Sequence, residues 1–191
     1  MNAELPSTHL LNPLAARSPL GTVRGAAPRT IADTHRVCIV EEPFLHLVSL
    51  RLSRKASVEA LAAAFGSSLP LTPNTFSGTA ARSVARFEPH AWMLLASEPP
   101  QAPSIAGCLA TDLSARLASF RLTGDGAESL LRGSTPVMPP VGGFVRTLFA
   151  ESYAVLQQRL DAHDVRLLVD VSLAQACADW LADAAQLAST G

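Results

Sequence analysis

The sequence predicts an α+β fold of antiparallel strands with about three helices. Three observations carry this. Segments 44–52 and 117–122 alternate from residue to residue, the period of a half-buried strand. Segments 58–65, 127–132 and 173–187 repeat their apolar residues every three or four positions, the period of a helix. Between them fall clusters of Pro and Gly that close turns.

The elements follow in chain order. Residues 1–36 read as an extended N-terminal arm, broken by Pro6, Pro13, Pro19 and Pro28. Its leucines suit a segment lying across a partner or across its own domain; a plain tail is the other reading. Residues 37–191 read as a single α+β domain. Phe44 to Leu52 is a strand whose core face carries Phe44, His46, Val48, Leu50 and Leu52. Ser57 caps a helix that runs to Phe65 and stops at Gly66, with Val58, Leu61 and Phe65 on one stripe. A loop through Pro70, Pro73, Asn74 and Gly78 leads to strands at Thr79–Phe87 and Ala91–Ala96, joined by a turn at Glu88-Pro89-His90. Trp92 opens the second of these as a packing residue. Ser97 to Ser104, with Pro99, Pro100 and Pro103, is a crossover between two halves.

The stretch from Leu109 to Leu131 is the centre of the chain: strand, Gly turn, short helix. Ala118, Phe120 and Leu122 point one way and Leu117, Ser119 and Arg121 the other. Gly124 and Gly126 permit the reversal. Asp125 and Glu128 have the spacing of a capping box, Leu130 and Leu131 face the sheet, and Gly133 ends the helix. After a Pro- and Gly-rich loop over 133–143, Phe144–Phe149, Ser152–Arg159 and Val165–Val171 read as three antiparallel strands, the last two joined by a turn over 161–164. Ser172 caps a final helix with Leu173, Ala176, Trp180 and Leu187 on its inner stripe, joined by Cys177, Leu181 and Ala184.

Composition bounds the function. The chain has 191 residues, one domain with or without a tail. Its 15 Lys plus Arg against 16 Asp plus Glu lack the basic excess of a nucleic-acid binder. Only 16% of residues are charged and 48% are hydrophobic, with a mean hydropathy of +0.24, a surface suited to partial cover by another subunit. Lys55 is the sole lysine; arginine, which carries the rest of the positive charge, tolerates burial in interfaces. A GC-rich genome gives the same bias. Cys38, Cys108 and Cys177 form no CxxC or Cys/His cluster, which argues against structural zinc and for a reducing, cytoplasmic setting with the thiols as small apolar residues. No run of eighteen apolar residues predicts a membrane span, and Met1 to Pro13 lacks a secretory pattern.

No catalytic, cofactor-binding or metal-ligating residue is assigned. Gly124-Asp125-Gly126 lacks the third glycine of a dinucleotide loop, and no Walker, GxSxG or HExxH pattern occurs. Glu41-Glu42 reads as a solvated pair, His46 as a buried hydrogen-bonded histidine, and His163 beside Asp161 and Asp164 as a polar turn.

Several motifs nevertheless carry a resemblance. Thr111-Asp112-Leu113-Ser114, then Phe120-Arg121-Leu122-Thr123-Gly124, then Gly126-Ala127-Glu128-Ser129-Leu130-Leu131 resemble the gamma subunit of heterotetrameric sarcosine oxidase, which is similar in turn to the aminomethyltransferase (glycine-cleavage T-protein) family. Phe65-Gly66, Leu69-Pro70 and Pro73-Asn74 resemble a Leu-Pro-x-x-Pro-Asn region; Pro89 and Trp92 a Pro-x-x-Trp signature; Gly142-Gly143 with Arg146-Thr147 a Gly-x-x-x-Arg-Thr strand; and Ser172 to Leu181 the closing helix. His90 and Ala91 stand where that family carries acidic or polar residues, and the 133–143 loop is shorter than its counterpart.

The resemblance implies one domain of the aminomethyltransferase fold. It implies a non-catalytic structural subunit of a complex that oxidatively demethylates sarcosine or a related N-methyl or secondary amine. The partners would be alpha, beta and delta subunits, mainly alpha, and those would hold the FAD, FMN, NAD, tetrahydrofolate and zinc, with no cofactor on this chain. The alternative it implies is a freestanding folate-binding protein like the T-protein, in which Asp112 would stand in the place of the family's catalytic Asp. On its residues alone, Asp112 orders a turn through its own backbone hydrogen bonds.

Overall fold

In the computed structural model the described residues are 18–22, 24–54, 56–65, 69–100, 105–151 and 153–189. The first 17 residues of the expected arm, Gly66 as helix stop, the Phe65 side chain, residues 101–104 of the crossover and Ser152 lie outside them.

Two antiparallel sheets stack face to face, with helices on both outer sides. The six-stranded sheet has the order β1 (Thr30–Asp33), β2 (Cys38–Glu41), β8 (Leu117–Thr123), β11 (Asp164–Asp170), β10 (Tyr153–Asp161), β9 (Phe144–Phe149). The five-stranded sheet has the order β4 (Thr75–Gly78), β5 (Arg82–Glu88), β6 (Ala91–Ala96), β3 (His46–Leu52), β7 (Cys108–Asp112). The α+β expectation therefore holds, with three α-helices among the described residues: α1 (Val58–Phe65), α2 (Ala127–Arg132) and α3 (Ala174–Ser189). Among the described residues, no helix is long and apolar enough to cross a membrane.

Strand alternation distributes the core into three layers. Ile39, Phe120, Leu122, Val165, Leu167 and Val169 turn outward from the larger sheet onto α2 and α3. Leu47, Ala85, Met93 and Leu95 of the smaller sheet meet Phe144 and Leu168 of the larger one in the middle layer. Val48, Leu50, Trp92 and Leu94 cover Leu61 of α1. β3 is thus buried on both faces rather than on the single expected face, because helix and second sheet cover it from opposite sides. Phe44 stands before the strand at φ 62, and His46 is only half-buried.

The main departures from the sequence reading are local. Thr30–Asp33, expected in the arm, forms the edge strand β1 paired with β2. Residues 18–22 and 24–29 fold back on this domain: the Leu20 and Thr22 groups bond Glu41, and Arg29 Nη1 donates to Leu20 O at 3.1 Å. Leu109 to Leu131 is not one unit, for β7 and β8 lie in different sheets. The strands on either side of the Pro-rich crossover, β6 and β7, belong to one sheet, where both pair with β3, so it does not divide the fold into two halves.

Two caps also change. Helix α2 begins after Gly126 with no side-chain cap; Asp125 and Glu128 form no capping box because Glu128 turns to Arg132 and Arg159. Asp170, not Ser172, holds the start of the last helical segment, its carboxylate accepting from Ser172 N at 3.0 Å through a 3-10 turn at Val171–Leu173. The inner stripe of α3 is Ala174, Cys177, Ala178, Leu181 and Ala185, so Leu187 is exposed and Trp180 only half-buried. Ser57 does cap α1, accepting from Ala60 N at 3.2 Å. Gly124, at φ 111, is required where it stands: a Cβ there would sit 2.4 Å from Arg36 O.

Candidate functional site: the charged seam between the sheets

Strand alternation explains the most polar feature of the interior. Glu41 and Glu42 are neighbours at the end of β2, so a period of two sends their side chains to opposite faces. Glu41 is 1% exposed and, on the Ile39 face, accepts from Thr22 Oγ1 at 2.7 Å and Leu20 N at 3.4 Å. Glu42 turns the other way, between the sheets. The expected solvated pair is therefore one buried carboxylate, Glu41, and one half-buried carboxylate, Glu42, on opposite faces.

Glu42 meets Arg166, which projects from the middle of β11 and is 1% exposed. Arg166 Nε donates to Glu42 Oε2 at 2.5 Å and Nη2 to Oε1 at 2.8 Å, a two-point clasp. Its remaining donors reach Gln158 Oε1 at 2.8 Å and Ala80 O at 2.9 Å. Gln158 Nε2 in turn donates to Ser83 Oγ of β5 at 2.8 Å. One guanidinium thus ties the larger sheet to the smaller one. Beside it Arg121 grips Asp164 through Nε at 2.9 Å and Nη2 at 2.6 Å, with Nη1 3.9 Å from Glu42. Ser119 Oγ donates to Glu42 Oε2 at 2.9 Å.

Burial pushes the Glu42 carboxyl up, but the hydrogen bond and charge of Arg166, the Ser119 hydroxyl and the charge of Arg121 outweigh it and hold the group below its ordinary 4.5. A carboxylate depressed in the folded state stabilises fully above its unfolded value and loses that contribution as pH falls through the folded one. Wild type is therefore expected to exceed Glu42→Gln in denaturant-unfolding stability at pH 7, and the gap to shrink only below pH 4.5. A gap that is constant from pH 7 to pH 3 would show that Glu42 is not charged in the fold.

Asp112 sits at the end of β7, on the exposed edge of the smaller sheet. It accepts from Ser114 N at 2.8 Å and Ser114 Oγ at 2.6 Å, and these bonds lower its pKa. It orders the turn, as its residue type suggests, and Ser114 Oγ accepts from Leu47 N at 3.0 Å. His163 lies in the β10–β11 turn, its N–H donating to Asp161 at 2.6 Å. Asp164, read as part of that turn, is instead the Arg121 partner. Trp92 is fully buried and donates from Nε1 to Pro70 O at 2.9 Å. Cys177 is packed in the core with its thiol pushed up to about 12 by burial; Cys38 and Cys108 are free and partly exposed. Among the described residues, no three His, Cys, Asp or Glu side chains converge as a metal set.

Two clefts flank the seam. One, of about 340 Å³, is bounded by Glu42, Phe44, His46, Ser114 and Ser119, with the Arg24 guanidinium 4.5 Å above the Phe44 ring. The other, of about 360 Å³, opens between the sheets where β3 and β5 end and β8 and β10 begin. Sequence reasoning missed the seam. Its signal was an arginine between two apolar residues in a strand: Arg121 between Phe120 and Leu122, and Arg166 between Val165 and Leu167.

No family model matches the chain, and no curated protein sequence matches it. Solved structures do. A chain of the heterotetrameric sarcosine oxidase from Corynebacterium sp. U-96, solved in complex with pyrrole 2-carboxylate, superposes with a TM-score of 0.71 and 27% sequence identity, over 84% of this chain and 89% of that one. The glycine cleavage system aminomethyltransferase T from Bartonella henselae superposes with a TM-score of 0.58 and 15% identity, over 81% of this chain and 49% of that one. The second likeness is one of fold, and it places the two stacked sheets among aminomethyltransferase-like folds.

Proposed function

We propose that the chain is a non-catalytic structural subunit, of the gamma type, in a sarcosine-oxidase-like complex that oxidatively demethylates sarcosine or a related N-methyl or secondary amine. The observation that carries this reading is mutual coverage: the superposition takes in 84% of this chain and 89% of its sarcosine-oxidase counterpart, so a whole subunit of this size is matched. The interior supports it as well. The buried polar groups of the seam are spent on one another and on backbone, an arrangement that fastens two sheets rather than one that acts on a substrate. On this reading the partners are alpha, beta and delta subunits, with alpha as the main contact, and FAD, FMN, NAD, tetrahydrofolate and zinc reside on them.

Affinity purification of the tagged full chain from its native source tests the proposal. Flavin-absorbing partners are expected in the eluate, while the chain purified alone shows no flavin bands. Folate without flavin partners would favour the freestanding T-protein-like reading; neither would remove both.

A further inference from the structure

The second cleft is a built pocket that the structural role leaves unused. Its floor is apolar: Phe87 and Met93 from the smaller sheet, Leu156 and Leu168 from the larger, and Leu117 at the start of β8. Its rim is cationic, with Arg51, Arg116 and Arg146. Arg51 is paired with Glu88 at 3.5 Å and Arg116 with Asp170 at 3.8 Å. Both pairs are solvent-exposed and loosely held. Arg146 projects from β9 with no carboxylate partner among the described residues, so three cations face two anions around one opening. Ser49 also lines the cleft and adds a hydroxyl to its wall.

We propose that this cleft binds a small organic monoanion: an apolar, ring-sized body seated on Phe87, Met93 and Leu168, with a carboxylate held at the rim by Arg146. The about 360 Å³ of space falls within the range of small-molecule sites, and an apolar floor with a few polar groups is their usual make-up. The planar guanidinium fork of arginine matches a carboxylate in two-point contact. The ligand is neither a flavin nor a nicotinamide dinucleotide, for which the cleft offers no phosphate-binding loop. It is independent of the subunit assignment, since every residue involved belongs to this chain.

Titration calorimetry on the full chain with two probes of the same ring and opposite charge tests it: 2-naphthoate and 2-naphthylmethylammonium. The naphthoate is expected to bind at least tenfold more tightly than the ammonium. Arg146→Ala should weaken naphthoate binding about tenfold, with Arg146→Lys recovering part of the loss. Because Arg146 is an exposed strand residue, its replacement leaves the fold in place, which a thermal melt verifies. Ala154→Phe, at the exposed β10 position lining the cleft, should abolish binding by filling it. Equal affinity for the two probes, naphthoate affinity unchanged by Arg146→Ala or Ala154→Phe, or no heat with either probe would each overturn the proposal.

Discussion

Replacing Glu42 by alanine is expected to destabilise the folded chain by about 3–5 kcal/mol, because it strands the buried Arg166 guanidinium. Arginine cannot shed its charge at accessible pH, so the cost is not relieved by deprotonation. Arg166 would keep only Gln158 Oε1 and Ala80 O, both neutral acceptors. The pair as a whole is worth far less than that figure, since removing two charges together spares their desolvation. The double variant Glu42→Leu with Arg166→Met should therefore recover most of the stability lost by Glu42→Ala. Urea unfolding of the three variants measures both effects. A single-variant loss below about 1 kcal/mol would mean that water reaches Arg166 and the seam is not sealed.

The second large effect is in the outer core. Phe120→Ala should cost about 3–5 kcal/mol, since Phe120 is fully buried where β8 meets the helices and little around it can collapse. Trp180→Ala, which the sequence suggests is equivalent, should cost only about 2 kcal/mol. Trp180 is half-buried at the margin of α3 and packs edge-on against Phe149, ring centroids 4.7 Å apart. In thermal melts, the drop for Phe120→Ala is expected to be clearly the larger. Equal drops would place Trp180 inside the core.

That difference between two aromatic residues shows where sequence reading stops. Helix periodicity told that α3 has an apolar stripe, but a stripe rich in alanine is broad, and the ring of Trp180 lies at its edge. In the same way, Asp112 as a turn residue was legible because its partners stand two residues away. Glu42 was not, because its partners Ser119, Arg121 and Arg166 lie 77 to 124 residues distant.

By itself the sequence determined what short-range physics decides: the α+β class, most strands by their period of two, the Ser57 cap, the loops at Pro and Gly, and the absence of any phosphate loop or nucleophile motif. It also held the motifs that point to aminomethyltransferase-like folds. Only the tertiary structure decided how strands sort between sheets. β1 and β2 join the larger sheet with β8–β11, whereas β7, although it follows the crossover, stays in the smaller one beside β3. The reason is that a strand's pattern specifies which of its faces is buried, not against what. Which edge it joins depends on backbone pairing and on side-chain matches far along the chain, such as Arg166 with Glu42. Buried charges follow the same rule: a lone Arg in an apolar strand takes its meaning from a partner that only the fold brings near.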